Sequence, residues 1–312
     1  MAATQYGVIT LAYGRAYYVE MAKTLARSLR LHSPNIPLAI VTDCQEDEEL
    51  SKLFDYVLPL KKEYGSNMIQ KLHLNKYSPF QRTLYIDSDC IAVRDISFIF
   101  KDFEGMSFGA VGDAYLVAGQ KDNFIDVDAI LKKFGLDKLP KFNGGVYYFD
   151  KSKTADAIFE TALEILRDWK SLGIAEVRGD GPNDERIVAI AMMLHHQNLL
   201  DDDGEIMRTP IGLRGSLSVD ALTGKSCFQK YDKVVSPALV HFACVWAEHP
   251  VYHRNVTKLK NLNQQFPVQQ DSGILSWFKY QFGYQIALIR YIVKRVPKNP
   301  KYVANRVVRL LT

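Results

Sequence analysis

Two aspartates separated by a single residue, Asp87-Ser88-Asp89, follow a short apolar run, and that spacing can do chemistry. Side chains on extended backbone alternate with a period of two, so both carboxylates fall on one side of the chain. Convergent carboxylates hold a hard divalent cation such as Mn2+ or Mg2+, and such a cation neutralises a diphosphate. Asp-x-Asp also caps turns, so the pair gains weight only from its setting. Phe142–Phe149 offers a second set of groups. Asn143 carries an amide suited to sugar hydroxyls, and Gly144-Gly145 before a β-rich run permits close backbone approach or positive φ. Gly181-Pro182-Asn183-Asp184-Glu185 opens a helical stretch with two acids in its first turn, where the helix dipole alone would favour them. His241 lies on an apolar run and is either a core histidine or an imidazole completing a carboxylate–histidine set for Mn2+. Lys71, on a helical face ahead of the aspartates, is either a solvated lysine or a fixed cation for phosphate.

The elements that must position these groups alternate. Tyr6–Ala12, Leu38–Thr42, Tyr56–Pro59 and Thr83–Ile86 read as strands, with helices expected over Tyr17–Leu31, Glu46–Phe54 and residues 66–78. Further strands are expected at Ser107–Val111, Gly145–Phe149 and Ala238–Phe242, and helices at Lys153–Leu172 and Asp184–His195. A Gly-rich turn is expected at Gly179–Asn183, and residues 201–236 read as polar loops. This alternation predicts an α/β fold with a Rossmann-like, mostly parallel central sheet flanked by helices. Ligands of such sheets sit beyond the carboxyl ends of the strands, where Asp87 and Asp89 fall.

Hydrophobic residues make up 47% of the 312 and charged residues 24%, ordinary for a globular chain with a large core. Cys44, Cys90, Cys227 and Cys244 are scattered without a CxxC pair, which points to reduced thiols rather than a disulfide frame. The chain enters a strand-like run almost at once, so a cytoplasmic protein is expected. Residues 271–312 carry eight Lys or Arg against Asp271 alone, a charge of +7 that leaves −3 for the rest. The body therefore does not fit a nucleic-acid binder, whereas the tail suits an anionic membrane surface. Within it, Ile274–Val296 mixes Trp277, Phe278, Tyr280, Phe282, Tyr284, Leu288 and Tyr291 with Lys279, Arg290, Lys294 and Arg295. Charges interrupt that stretch too often for a membrane span. It reads as a basic amphipathic helix that lies on a membrane, packs back on the body or mediates a homodimer. Residues 1–267 then form the main domain and 268–312 the tail.

Taken in order, these motifs resemble the glycogenin-like retaining glycosyltransferases (glycosyltransferase family 8, GT-A fold) over roughly residues 5–255. VITLAYGRAYYVEMAKTLARSL is similar to the family's first strand and helix, which implies that Thr10, Leu11 and Ala12 line the nucleotide and that Tyr18 or Tyr17 stacks on its base. QKLHLNKYSPFQRTLYIDSDCIAVRDI resembles the Lys-helix and metal-binding strand, with Lys71, Asp87, Ser88 and Asp89 in corresponding places. FNGGVYYFD places Asn143 and Gly144 near the donor hexose. GPNDERIVAIAM resembles a segment that usually reads Asp-Gln, so Asp184 carries over and Glu185 replaces the glutamine. VHFACVWAEHP resembles the closing segment, which makes His241 the third metal ligand. Cys244 stands there for a usual Gly and Ala247 for a usual phosphate-binding Lys, a role that Arg254 or Arg214 could take over. The resemblance implies a metal-dependent enzyme that moves a hexose from a UDP-sugar to a carbohydrate, glycolipid or protein acceptor with retention. In that scheme Asp184, Lys71 and Asn143 serve the reacting centre. Two other readings stand beside it: a sugar nucleotidyltransferase, disfavoured by the sparse loop AYGRAYY, and a non-catalytic nucleotide-sugar or carbohydrate binder.

Overall fold

A computed structural model describes residues 5–177, 181–262 and 273–293. The chain runs β1 (Tyr6–Leu11), α1 (Ala16–His32), β2 (Leu38–Thr42), α2 (Glu48–Leu53) and β3 (Tyr56–Pro59). A 3-10 segment, Asn67–His73, leads into the single α-turn α3 (Leu74–Tyr77), then β4 (Arg82–Ile86), β5 (Cys90–Ala92), α4 (Ser97–Asp102) and β6 (Phe108–Ala110). Next come β7 (Ala114–Val117), α5 (Val127–Phe134), β8 (Lys138–Lys141), β9 (Val146–Asp150), α6 (Lys153–Arg167) and α7 (Asp184–Leu194). Strands β10 (Met207–Arg208), β11 (Leu213–Asp220), β12 (Lys225–Lys230), β13 (Lys233–Val235) and β14 (Leu239–His241) precede α8 (Pro250–Leu262) and α9 (Gly273–Val293).

The central sheet has the order β3-β2-β1-β4-β9-β6. β3, β2, β1 and β4 are parallel, but β9 runs antiparallel to β4 and β6 antiparallel to β9. Helices cover both faces, so the strands read as continuous apolar runs rather than alternating ones. Val8, Ile40, Leu84 and Tyr148 meet the α1 side, with Leu25 and Leu29, while Ile9, Tyr85, Tyr147 and Phe149 meet α6 and α7, with Ile158 and Ile187. A fully buried aliphatic or aromatic side chain is worth roughly 1.5–3 kcal/mol, so these two layers carry most of the fold's stability.

Antiparallel pairing of β4 with β9 positions the site. Ile86 at the end of β4 pairs with Val146 at the start of β9. The Asp-x-Asp turn and the Asn143–Gly145 turn therefore meet at one edge, and the Asp87 amide donates to the Gly145 carbonyl at 2.9 Å. A second small sheet, β10-β14-β5, places His241 opposite Cys90, and the Phe242 amide donates to the Asp89 carbonyl at 3.0 Å.

Several expectations change in detail. Residues 66–78 are not one regular helix. The Gln70 amide donates to the carbonyls of Lys61 and Gly65 at 2.8 and 2.7 Å, tying that segment to the preceding chain. α6 stops at Arg167, short of Leu172, and the following turn passes through Gly173 at φ 67°. The expected polar loops of 201–236 contain the antiparallel sheet β11-β12-β13, which buries Leu217, Val219, Phe228 and Val235 on one face. Gly179 of the expected turn and the boundary near residue 267 lie outside the described residues, as do the basic residues Lys294, Arg295, Lys298, Lys301, Arg306 and Arg309. No described helix is long and apolar enough to cross a membrane. α9 packs back through one face: Tyr280 stacks on His253, Tyr284 meets Trp246 and His249, and Leu288 is buried. Phe278, Phe282 and Ile289 on its other side are exposed.

Candidate active site

Lys71 is the hub. It projects from the 3-10 segment with its Nζ 2.9 and 3.0 Å from the two oxygens of Asp87, 3.2 Å from the Gly144 carbonyl and 3.6 Å from Asp184 Oδ2. Burial alone would lower its affinity for a proton, but Asp87 and Asp184 reverse that and hold the ammonium well above the usual lysine range. It is a permanent cation rather than a base. The Tyr85 hydroxyl, two residues along β4 on the same face, also donates to Asp87.

Asp89 and His241 form the other half. His241 Nε2 lies 2.9 Å from Asp89 Oδ1 and 3.7 Å from Asp87 Oδ2, and its Nδ1 lies 2.6 Å from Asn143 Oδ1. That amide oxygen also accepts from the Gly145 amide at 3.1 Å, so it is an acceptor and Nδ1 must carry a proton. The arrangement leaves Nε2 aimed at the two carboxylates, the way a second group orients a metal-ligating histidine. Burial pushes the imidazole down, yet Asp89 more than offsets it, so the ring holds a proton more tightly than usual. Asp89 is correspondingly held low against its own burial. The close approach of Nε2 and Oδ1 stands where a cation would bind, and two carboxylates plus one imidazole suit Mn2+ or Mg2+. The donor set fits a hard cation. Cys90 also brings its sulfur within 4.8 Å of the Asp89 and His241 ligand atoms. Complete burial drives its thiol well up, and a hard cation prefers oxygen, so Asp87 is the better third ligand.

Glycine at 145 is required by distance. A Cβ there would come within 2.3 Å of His241 Nδ1, and one on Gly144 within 2.7 Å of the Tyr147 hydroxyl. Beside them, α7 begins. Asn183 is its cap, accepting from the Arg186 amide at 2.9 Å, which leaves Asp184 and Glu185 uncommitted to capping. Asp184 faces Lys71 and the Tyr147 hydroxyl, 3.4 Å away, and burial raises its pKa. Glu185 accepts from the Gly144 amide at 2.8 Å; burial and then Asp184 raise its carboxyl to about 7.

Of the residues singled out in the sequence, Lys71, Asp87, Asp89, Asn143, Gly144, Asp184, Glu185 and His241 come together. Ser88 is buried in the turn between β4 and β5, and Thr10, Leu11 and Ala12 are buried at the end of β1. Tyr17 and Tyr18 are both about two-fifths exposed on the first turn of α1, at 41% and 39%. The Tyr17 hydroxyl donates to Glu248 at 3.2 Å, and Asp89 is among the charges that raise its phenol above the usual range after burial and Glu248. Ala247 is buried in the 3-10 turn Cys244–Glu248, and Cys244 adopts φ 60°. Arg214 is engaged by Asp232 at 2.7 Å, and Arg254 lies in a cleft of about 340 Å³ between β11 and α8. Tyr85, Tyr147, Cys90 and Glu248 were not singled out as site residues. The two tyrosines sit on strands that read as plain core, and Glu248 gives no signal beyond its nearness to Ala247.

No protein-family profile matches the sequence, and no curated protein matches it. Solved structures do. An active-site Gln-to-Glu mutant of LgtC superposes with a TM-score of 0.52 at 16% identity, covering 76% of this chain and 87% of that one. The galactosyltransferase LgtC in complex with donor and acceptor sugar analogues gives 0.50 at 14%, covering 89% and 95%. The apo bifunctional glycosyltransferase WbbM gives 0.50 at 11%, covering 89% of this chain and 52% of that one. The chain therefore has the GT-A fold of these glycosyltransferases.

Proposed function

We propose that this protein is a metal-dependent, retaining glycosyltransferase of the family 8 kind, moving a hexose from a UDP-sugar to a saccharide, glycolipid or protein acceptor. One observation carries the reading: side chains from five separated segments converge beyond the carboxyl end of β4, with Lys71 2.9 Å from Asp87 and His241 2.9 Å from Asp89. Asp87, Asp89 and His241 would hold Mn2+ or Mg2+, which when bound neutralises charge on the departing diphosphate. Lys71 supplies a second, fixed positive charge at the same place, in a site dry enough to make it count. Asn143 orients His241, and Gly144 lets the donor hexose approach the backbone. Asp184 stands beside Lys71 as the carboxylate nearest the reacting centre. Thr10, Leu11 and Ala12 form the floor for the nucleotide, and of Tyr18 and Tyr17 as the tyrosine that stacks on the base we favour Tyr17, whose phenol feels the Asp89 charge. Ala247 offers no cation, so the phosphates depend on Lys71 alone among the lysines of the site. Glu185, where the resemblance expects Gln, marks the hexose pocket. The outer face of α9 and the basic tail favour an anionic membrane surface on the cytoplasmic side, and hence a lipid-linked acceptor.

The test is a panel of UDP-sugars incubated with Mn2+, reading released UDP. One donor should be hydrolysed slowly in a reaction that EDTA stops. Asp89→Ala should cut that rate about 100-fold or more, the scale on which lost charge stabilisation is felt, with its far-UV spectrum unchanged. Near wild-type release from Asp89→Ala would sink the assignment, and tight UDP binding without hydrolysis would favour a non-catalytic binder.

A further inference from the structure

We propose that Glu248 and helix α9 hold Tyr17 in place at the rim of the nucleotide site, so that docking of the C-terminal helix and donor affinity are coupled. The inference rests on the reading of Tyr17 as the base contact. Tyr17 is the second residue of α1, whose N-terminus has no side-chain cap, and it is 41% exposed. Its hydroxyl donates to Glu248 Oε1 at 3.2 Å. The other oxygen of Glu248 faces His253 Nε2 at 3.7 Å, and the His253 ring stacks on Tyr280 of α9 with centroids 4.3 Å apart and planes 8° from parallel. A line of contacts thus runs from α9 through α8 and the turn Cys244–Glu248 to the rim of the site.

That turn is anchored by Trp246 and Ala247, both buried in the core beneath α8, while Glu248 at its end is only half-buried. It starts without a side-chain cap, and it passes through Cys244 at a φ of 60°, a region that costs a residue with a Cβ. A second prop comes from α9 again, where Tyr284 lies 5.8 Å from the Trp246 ring and 4.8 Å from His249. An exposed tyrosine must be immobilised before it can stack on a base, and a partner that immobilises it beforehand improves binding by about 3- to 10-fold. Glu248 and Tyr280 are positioning residues in this scheme, since neither touches the nucleotide.

Calorimetric titration of UDP with Mn2+ into the full chain and its variants tests the coupling. Tyr17→Ala should weaken UDP by about 10-fold or more, in keeping with the loss of base stacking. Glu248→Ala, which removes the acceptor for the Tyr17 hydroxyl, and Tyr280→Ala should each weaken it about 3- to 10-fold. The double variant should be no weaker than the worse single one, because both act through one ring. Tyr280→Phe keeps the stack and should bind as wild type. If Tyr17→Ala weakens UDP while Glu248→Ala and Tyr280→Ala bind as wild type, the coupling is overturned and the donor-site reading stands. If Tyr17→Ala itself binds as wild type, the assignment of Tyr17 falls and the coupling falls with it.

Discussion

At the scale of single residues, His241 and Gly145 have to be understood together. The imidazole reaches Asp89 only because nothing projects from residue 145, where a Cβ would meet Nδ1 at 2.3 Å. Gly145→Ala should force the ring or the turn to move, costing about 1–3 kcal/mol of stability as overpacking does. It should also weaken Mn2+ dependence, read as a higher metal concentration for half-maximal UDP release. Cys244 presents the opposite case. It holds a φ of 60° that glycine adopts freely, so Cys244→Gly should raise stability by about 0.5–1 kcal/mol, seen as a higher Tm. The resemblance expects glycine at that position, and the torsion gives the physical reason. Lys71, Asp87, Asp89, Asn143, Asp184 and His241 could be picked from the sequence only through their order along the chain, since each taken alone has a simpler purpose as a turn or helix cap, a solvated lysine or a core histidine. Tyr85 and Tyr147 could not, since a tyrosine on a buried strand looks the same whether or not its hydroxyl reaches a carboxylate.

At the scale of elements, the apolar runs left a clear trace: β1 to β4 fall where they placed them, the buried β1, β2 and β4 and the half-buried edge strand β3 alike. The sheet β11-β12-β13 left a weak one. Its alternation lasts only over Ser216–Asp220 and is broken by Gly215 and Gly224, both at positive φ, so it reads as loop. The direction of β9 was not legible either, because an apolar run carries no sign of which way it pairs. The segment before α8 makes a pH prediction. Burial, aided by Arg254 and His253, pushes the His249 imidazole down to about 4, and its Nδ1 accepts from the Val251 amide at 3.2 Å, which a proton there would forbid. The unfolded value is about 6.5. A base with a lowered folded pKa contributes stability that is present above the unfolded value and lost as pH falls toward the folded one. Stability should therefore drop by about 1–2 kcal/mol from this group between pH 7 and pH 5. Thermal melts across that range should show the loss, and His249→Gln should flatten it.

At the scale of the whole molecule, charge and shape divide. The positive excess lies in residues 271–312, and α9 turns Tyr280, Tyr284 and Leu288 inward while Phe278, Phe282 and Ile289 stay outside. On a helix these two sets fall on opposite faces, so one helix can grip the body and still present an apolar edge. Co-sedimentation with vesicles rich in phosphatidylserine should retain the full chain, with each basic group near the surface worth about 1 kcal/mol. Phe282→Glu and higher salt should each release it, and retention by neutral vesicles alone would count against an electrostatic contribution.

The pairing of Ile86 with Val146 carries a consequence for how the protein folds. Those residues are distant in sequence, so the Asp87 turn and the Gly145 turn come together only when a long loop has closed, a slow and late event for a non-local strand pair. A chain with β1 to β4 formed but β9 unpaired would have Asp87 without Gly145 beside it and no binding site. On the proposed function, UDP and Mn2+ would recognise only the finished sheet. At a hundred times its dissociation constant a ligand of this kind adds about 2.7 kcal/mol to the global unfolding free energy, and that gain should appear as slower unfolding while the folding rate stays unchanged.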